Sequence, residues 1–247
     1  MSARKLISGI FAIVILASLA WAAGDPWKSK PFMQWDEKDI RKILNDSPWS
    51  KAVQVPAAWT TGGDSGIEVA SAAQEHAPGG GVMGGGTTSS APPPAPSVPQ
   101  ATFVVRWGSS RTIREALLRS QVLAGQMKAE EAEKQAAQPV EVYQVLVAGG
   151  DMKPFQGADE KALLEKTYLA TKKTKQKIAA AGVEFLRGSD GKTVVAAVFS
   201  FPKKTETGEQ TIVADEKGAE FFCSIGGANI RATFEISKMD DAQGRDL

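Results

Sequence analysis

Gly182-Val-Glu-Phe-Leu-Arg187, Gly188-Ser-Asp-Gly191 and Thr193-Val-Val-Ala-Ala-Val-Phe-Ser-Phe201 follow one another directly. Two runs rich in branched and aromatic residues flank a short Gly/Ser/Asp stretch, which reads as a β-hairpin. Further apolar runs follow at Thr211-Ile-Val213, Glu220 to Ile225 and Ile230 to Ile236, each set off by turn chemistry. Strands joined by short turns pair antiparallel, so this half of the chain predicts an antiparallel sheet.

Upstream, Phe103-Val104-Val105-Arg106-Trp107 and Val140 to Val147 add strands. Between them, Ser109 or Ser110 can cap a helix reaching about Met127. Lys128 to Gln138 is polar with helical propensity, and Ala158 to Leu169 predicts another helix. Residues 102–239 therefore read as one α+β domain, an antiparallel sheet with helices on one face, followed by a tail at 240–247.

Residues 60–101 contrast with that domain. These 42 positions hold 9 of the 24 glycines and 6 of the 13 prolines, and their only charges are Asp64, Glu68 and Glu75. A segment with so little apolar surface cannot offset its ordering entropy, which predicts a disordered linker. Before it, residues 23–59 form a short ordered segment. Asp36 can cap a helix with Asp39 three residues on, and Trp35 and Ile40 hold the positions of a hydrophobic staple. Ile40, Ile43 and Leu44 share one face, and Pro48 closes the helix. Ala52-Val53-Gln54-Val55 suggests a short strand. All six tryptophans (Trp21, Trp27, Trp35, Trp49, Trp59 and Trp107) precede residue 108, a placement that suits anchoring of this segment to the main domain.

The first residues carry an address. Arg4-Lys5 is followed by the uncharged run Leu6 to Leu19 and the small-x-small triplet Ala20-Trp21-Ala22, the three-part layout of a secretory signal peptide over residues 1–22. The expected location is periplasmic or extracellular, with membrane attachment only if this segment stays uncleaved. The formal net charge is +1. Losing Arg4 and Lys5 leaves 27 basic against 28 acidic residues, too balanced a chain to concentrate on a polyanion. Nucleic acid is therefore not an expected partner.

Motifs that would carry chemistry fail on their requirements. Gly63-Asp64-Ser65-Gly66 matches a serine-protease tetrapeptide, but the sole histidine, His76, lies beside it in the linker, with no rigid frame to make a base of it. One histidine and one cysteine, Cys223, cannot assemble a zinc set. Asp215-Glu216 and Asp240-Asp241 lack the spacing of a calcium loop and read as solvated turn charges. Gly79 to Gly86 has no strand, helix or lysine to make a phosphate cradle. Asn45-Asp46-Ser47 fits the glycosylation triplet at a helix end before Pro48. Lys172, Lys173, Lys175 and Lys177 read as a solvated edge, and Cys223, in Phe221-Phe222-Cys223-Ser224-Ile225, as a small buried hydrophobe. No catalytic, cofactor-binding or metal residue is expected.

Lys30-Pro-Phe-Met-Gln-Trp35-Asp-Glu-Lys-Asp-Ile40, Asn45-Asp-Ser-Pro-Trp49-Ser-Lys51, Val105-Arg-Trp107, Ile113-Arg114 and Phe199-Ser-Phe201-Pro202-Lys203 together resemble a group of exported hypothetical proteins of Acidobacteria. The resemblance covers about three quarters of the chain and departs from the group in the long Gly/Pro insert. That group has no assigned activity, so the resemblance implies no site residues. The functional expectation is an exported, non-enzymatic binding or assembly module whose partner is another envelope protein or a glycan. The rival is an exported carboxylate-dependent hydrolase acting on glycans, which would need two acidic residues facing each other in one cleft.

Overall fold

The protein is described from a computed structural model, which defines residues 24–57, 59 and 99–247. The expected signal peptide, the serine-protease-like tetrapeptide, His76 and the glycine run all lie outside these residues. In chain order the strands are β1 (Ser50–Pro56), β2 (Gln100–Trp107), β3 (Val142–Gly149), β4 (Thr167–Thr171), β5 (Lys177–Ala179), β6 (Gly182–Arg187), β7 (Val194–Pro202), β8 (Ala219–Ile225), β9 (Ala228–Phe234), β10 (Asp240–Asp241) and β11 (Gly244–Arg245). The helices are α1 (Pro26–Ser29), α2 (Glu37–Asn45), α3 (Arg111–Leu123), α4 (Ala129–Ala136) and α5 (Glu160–Glu165). The mixed α+β class with antiparallel sheets is what the structure has.

Period-two burial builds the core. Ala101, Phe103, Val105 and Trp107 of β2 point inward, as do Tyr143, Val145 and Val147 of β3 and Phe199 and Phe201 of β7. The strands divide into a five-stranded sheet, β1-β2-β3-β7-β6, and a four-stranded one, β5-β4-β8-β9. Their apolar faces meet: Phe199 lies 5.5 Å from Phe221, and Trp107 lies 5.3 Å from Phe234. The hairpin that opened the sequence reading is β6–β7, with Gly191 at φ +64 in its loop. Gly226-Gly227, both at positive φ, close β8 onto β9 in a two-residue turn, the type that matches strand twist.

Several sequence expectations differ from the structure. Thr211-Ile-Val213 forms no strand, although Thr211 and Ile212 are buried; the Thr211 hydroxyl donates to the Pro202 carbonyl and ties the loop down. Ala158 to Leu169 is helical only over α5, after which the chain turns extended as β4. The Thr167 hydroxyl donates to the Leu163 carbonyl at that junction, and Tyr168 packs on Phe222 of β8 at 5.0 Å. Lys177, read as part of a solvated strand or helix edge, stands at the start of the edge strand β5.

The N-terminal segment is built into the larger sheet. β1 pairs with β2 along its whole length, from Ser50↔Arg106 to Pro56↔Gln100, so Gln100 and Ala101, assigned to the linker by composition, belong to a strand. α2 starts with a capping box: the Asp36 carboxylate accepts from Asp39 N at 2.8 Å, and that of Asp39 accepts from Asp36 N at 3.3 Å. Trp27, Trp35 and Trp49 are all in the core, with Trp27 and Trp49 edge-to-face at 5.5 Å. The stretch 240–247, read as a tail, forms β10 and β11 and anchors the same region. The Asp246 carbonyl accepts from Trp49 Nε1 at 2.8 Å, and its carboxylate accepts from Arg111 N and Thr112 N at the start of α3.

Candidate functional site

α3 positions a group of charged side chains that converges on open space. Ser110 caps the helix by accepting from Ile113 N, and Ile113 and Ala116 turn into the core. The opposite turn presents Arg111, Arg114 and Glu115, at the spacing that shares a helix face. A cleft of about 480 Å³ on one side is lined by Trp27, Lys30, Phe32, Trp35, Asp241 and others. A second of about 500 Å³ reaches Glu133 and Gln138. The two meet at Phe32, Arg111, Glu115 and Gln243, which lie on the walls of both and so form a single groove.

The charged groups of the groove differ in how free they are. Asp241 Oδ2 takes both Arg111 Nε at 2.7 Å and Nη2 at 2.5 Å, while Oδ1 accepts from Gln243 N at 2.7 Å; its side chain is 7% exposed. Arg114 donates through Nη2 to the carbonyls of Gln135, Ala136 and Gln138, closing the C-terminal end of α4. Glu115 is different. It accepts no hydrogen bond among the described residues, and burial pushes its carboxyl up from 4.5 to about 7, against the opposing pull of Arg111 and with the help of Asp241 and Asp246. A carboxyl whose proton is held by burial in a cleft, with no hydrogen bond among the described residues, makes Glu115 the candidate position of the groove. The indole N–H of Trp27, on the groove wall and 5% exposed, also lacks an acceptor among the described residues.

This geometry limits the chemistry. Glu115 could donate a proton near pH 7. Asp241 has both oxygens occupied and almost no exposure, so it is not free to act as the base or nucleophile of a pair, and the groove's other carboxylate, Glu133, is exposed on the wall of the second cleft. Trp35, at 2% exposure, has no ring face left for a ligand; its N–H donates to the Lys30 and Pro26 carbonyls. Phe32 is the groove's accessible aromatic.

The residues singled out in the sequence fall elsewhere. Asp215 is exposed and paired with Lys173, but Glu216, read as a solvated turn charge, is 2% exposed. Its carboxylate takes the backbone N–H of Lys173 at 2.9 Å, Lys217 at 3.0 Å and Gly218 at 3.3 Å, so the β4–β5 turn holds an anion supplied by the chain itself. Asp241 likewise is not solvated, because Arg111 neutralises it. Lys177 lies over the Tyr168 ring at 4.2 Å, and the four lysines do not converge on one point. The Asn45 amide donates to the Arg41 carbonyl and accepts from Arg106. Cys223 is buried and its thiol pushed up to about 11 by desolvation. No cluster able to hold a metal ion occurs among the described residues, and no helix among them is long and apolar enough to cross a membrane.

The groove residues went unmarked in the sequence. Arg111 and Glu115 stand at i and i+4, a pairing indistinguishable from an ordinary surface ion pair until β10 brings Asp241 from 130 residues away to claim the arginine. No family model, no curated protein and no solved structure matches the chain.

Proposed function

We propose that this protein is an exported, non-enzymatic binding module that takes a glycan in the groove beside α3. The observation that carries the reading is the meeting of two clefts at Phe32, Arg111, Glu115 and Gln243, where Glu115 accepts no hydrogen bond among the described residues. A sugar ring suits these groups: its C–H face packs on an accessible aromatic such as the half-buried Phe32, and its hydroxyls need planar donors and acceptors such as guanidinium, carboxyl and amide. Asp241, fully engaged by Arg111 and Gln243, supports binding over turnover. The basic start and apolar run of the first two dozen residues support export.

Calorimetric titration with a panel of bacterial envelope oligosaccharides tests the reading. Saturable binding that Phe32→Ala and Glu115→Ala each weaken at least tenfold is expected, with no release of shorter sugars. Steady hydrolysis abolished by Glu115→Gln would establish the rival enzyme; no binding by any member of the panel would remove the glycan reading.

A further inference from the structure

The five-stranded sheet packs only one of its faces against the core. On its other face the register fixes what is displayed. Ala52, Val104, Ala148, Ala196 and Leu186 align across β1, β2, β3, β7 and β6, an entirely apolar row. The next row runs Ser50, Arg106, Leu146, Val198 and Glu184. Leu186 is 39% exposed, and among the described residues no α-helix packs across β3 or β7 on this side. The end of α2 borders the face at one corner, where Arg106 Nε donates to the Leu44 carbonyl at 2.6 Å. Arg106 and Glu184 have no ion-pair partner among the described residues, and burial lowers the Arg106 pKa.

We propose that a second copy of this chain docks here, sheet face on sheet face, about a two-fold axis running parallel to the strands between β3 and β7. Such an axis exchanges β2 with β6 and β3 with β7 across the interface. Arg106 then stands over the partner's Glu184, and Glu184 over the partner's Arg106, so both unpaired charges are matched twice. Leu146 faces the partner's Val198, and Val104 the partner's Leu186, so apolar groups meet apolar groups. Aligned sheets cross at about 30°, which displaces groups lying roughly 7 Å from the axis by about 4 Å, within the reach of an arginine. The four strands this axis overlays, at about 4.8 Å spacing, and about seven residues at 3.3 Å give a face of roughly 19 by 23 Å on each copy, with β1 left outside it, an area that suits a weak, reversible association. The face is separate from the groove, and the proposal does not depend on what the groove binds.

Sedimentation velocity of the purified protein across the micromolar range tests it. A reversible dimer is expected, weakened by added salt. Glu184→Arg sets two arginines against each other at both ends and should weaken dimerisation at least tenfold; Leu186→Lys should do the same. Both positions are exposed, so thermal unfolding of the variant monomers should stay close to that of the parent. Leu123→Lys, exposed on α3 away from this face, should leave the dimer intact. A monomer throughout the range would overturn the proposal, and so would a dimer indifferent to both Glu184→Arg and Leu186→Lys. Glycan titration of Glu184→Arg reads the groove independently, since neither cleft includes that residue.

Discussion

Replacing Glu115 by glutamine should make the protein more stable at alkaline pH and leave it nearly unchanged in acid. The folded protein holds the Glu115 proton more tightly than the unfolded chain does, because burial raises its pKa from 4.5 to about 7. Stability contributed by that proton is fully present below pH 4.5 and is lost as the pH rises through about 7. The full shift corresponds to about 3.4 kcal/mol, but the groove is open to water on two sides, which reduces the expected effect to about 1–2 kcal/mol. Glutamine has the shape of the protonated acid without its titration. The difference between variant and parent should therefore be close to zero at pH 4.5 and grow to about 1–2 kcal/mol in favour of the variant at pH 8. Urea unfolding followed by tryptophan fluorescence at several pH values measures it, and subtraction cancels the titration of all other groups. An unchanged m-value confirms that compactness is not altered. Parallel stability curves for the two proteins would refute the reasoning and return Glu115 to the ordinary surface carboxylates.

Ile43→Ala should cost about 2–5 kcal/mol in denaturant unfolding, since Ile43 is fully enclosed, whereas Leu44→Ala should cost less because its side chain is only half-buried. Replacing residues 60–98 by a four-residue turn should raise stability by roughly 2 kcal/mol through the shorter loop closure, with a single cooperative transition retained. Cys223 should resist a thiol-specific reagent in the native protein at pH 8 and react at once in denaturant; rapid native labelling would contradict its burial.

Local signals were legible where one stretch decides its own conformation. The Asp36/Asp39 cap, the Ser110 cap and the β6–β7 hairpin each depend on residues a few positions apart, and each stands in the structure. The division of the strands into two sheets was not legible, because Phe199, Phe201, Phe221 and Phe234 alternate in the same way whichever partner sheet they face. Trp27, Trp35 and Trp49 of the first segment proved to be core anchors, as their large apolar area suggested. The groove was hidden for a further reason: its chemistry lies in which carboxylates are satisfied. Asp241 is bound on both oxygens and Glu115, among the described residues, on neither, a contrast that arises only when β10 folds against α3. Glu216 shows the same limit in reverse, an apparently ordinary acidic turn residue enclosed by four backbone amides.

β1 and β2 are neighbours in the larger sheet, and their ladder is closed at the far end by the Ala57 amide donating to the Pro99 carbonyl at 2.8 Å. The ladder itself holds Ala57 beside Pro99. A protein made this way tolerates being cut there: fragments 24–59 and 99–247 should find each other through the β1–β2 ladder and through Trp49, which reaches the Asp246 carbonyl in the other piece. The same position can serve as a port, where a foreign domain with closely spaced termini is spliced in without disturbing its host. For an organism, that separates the evolution of residues 60–98 from the evolution of the scaffold that carries them.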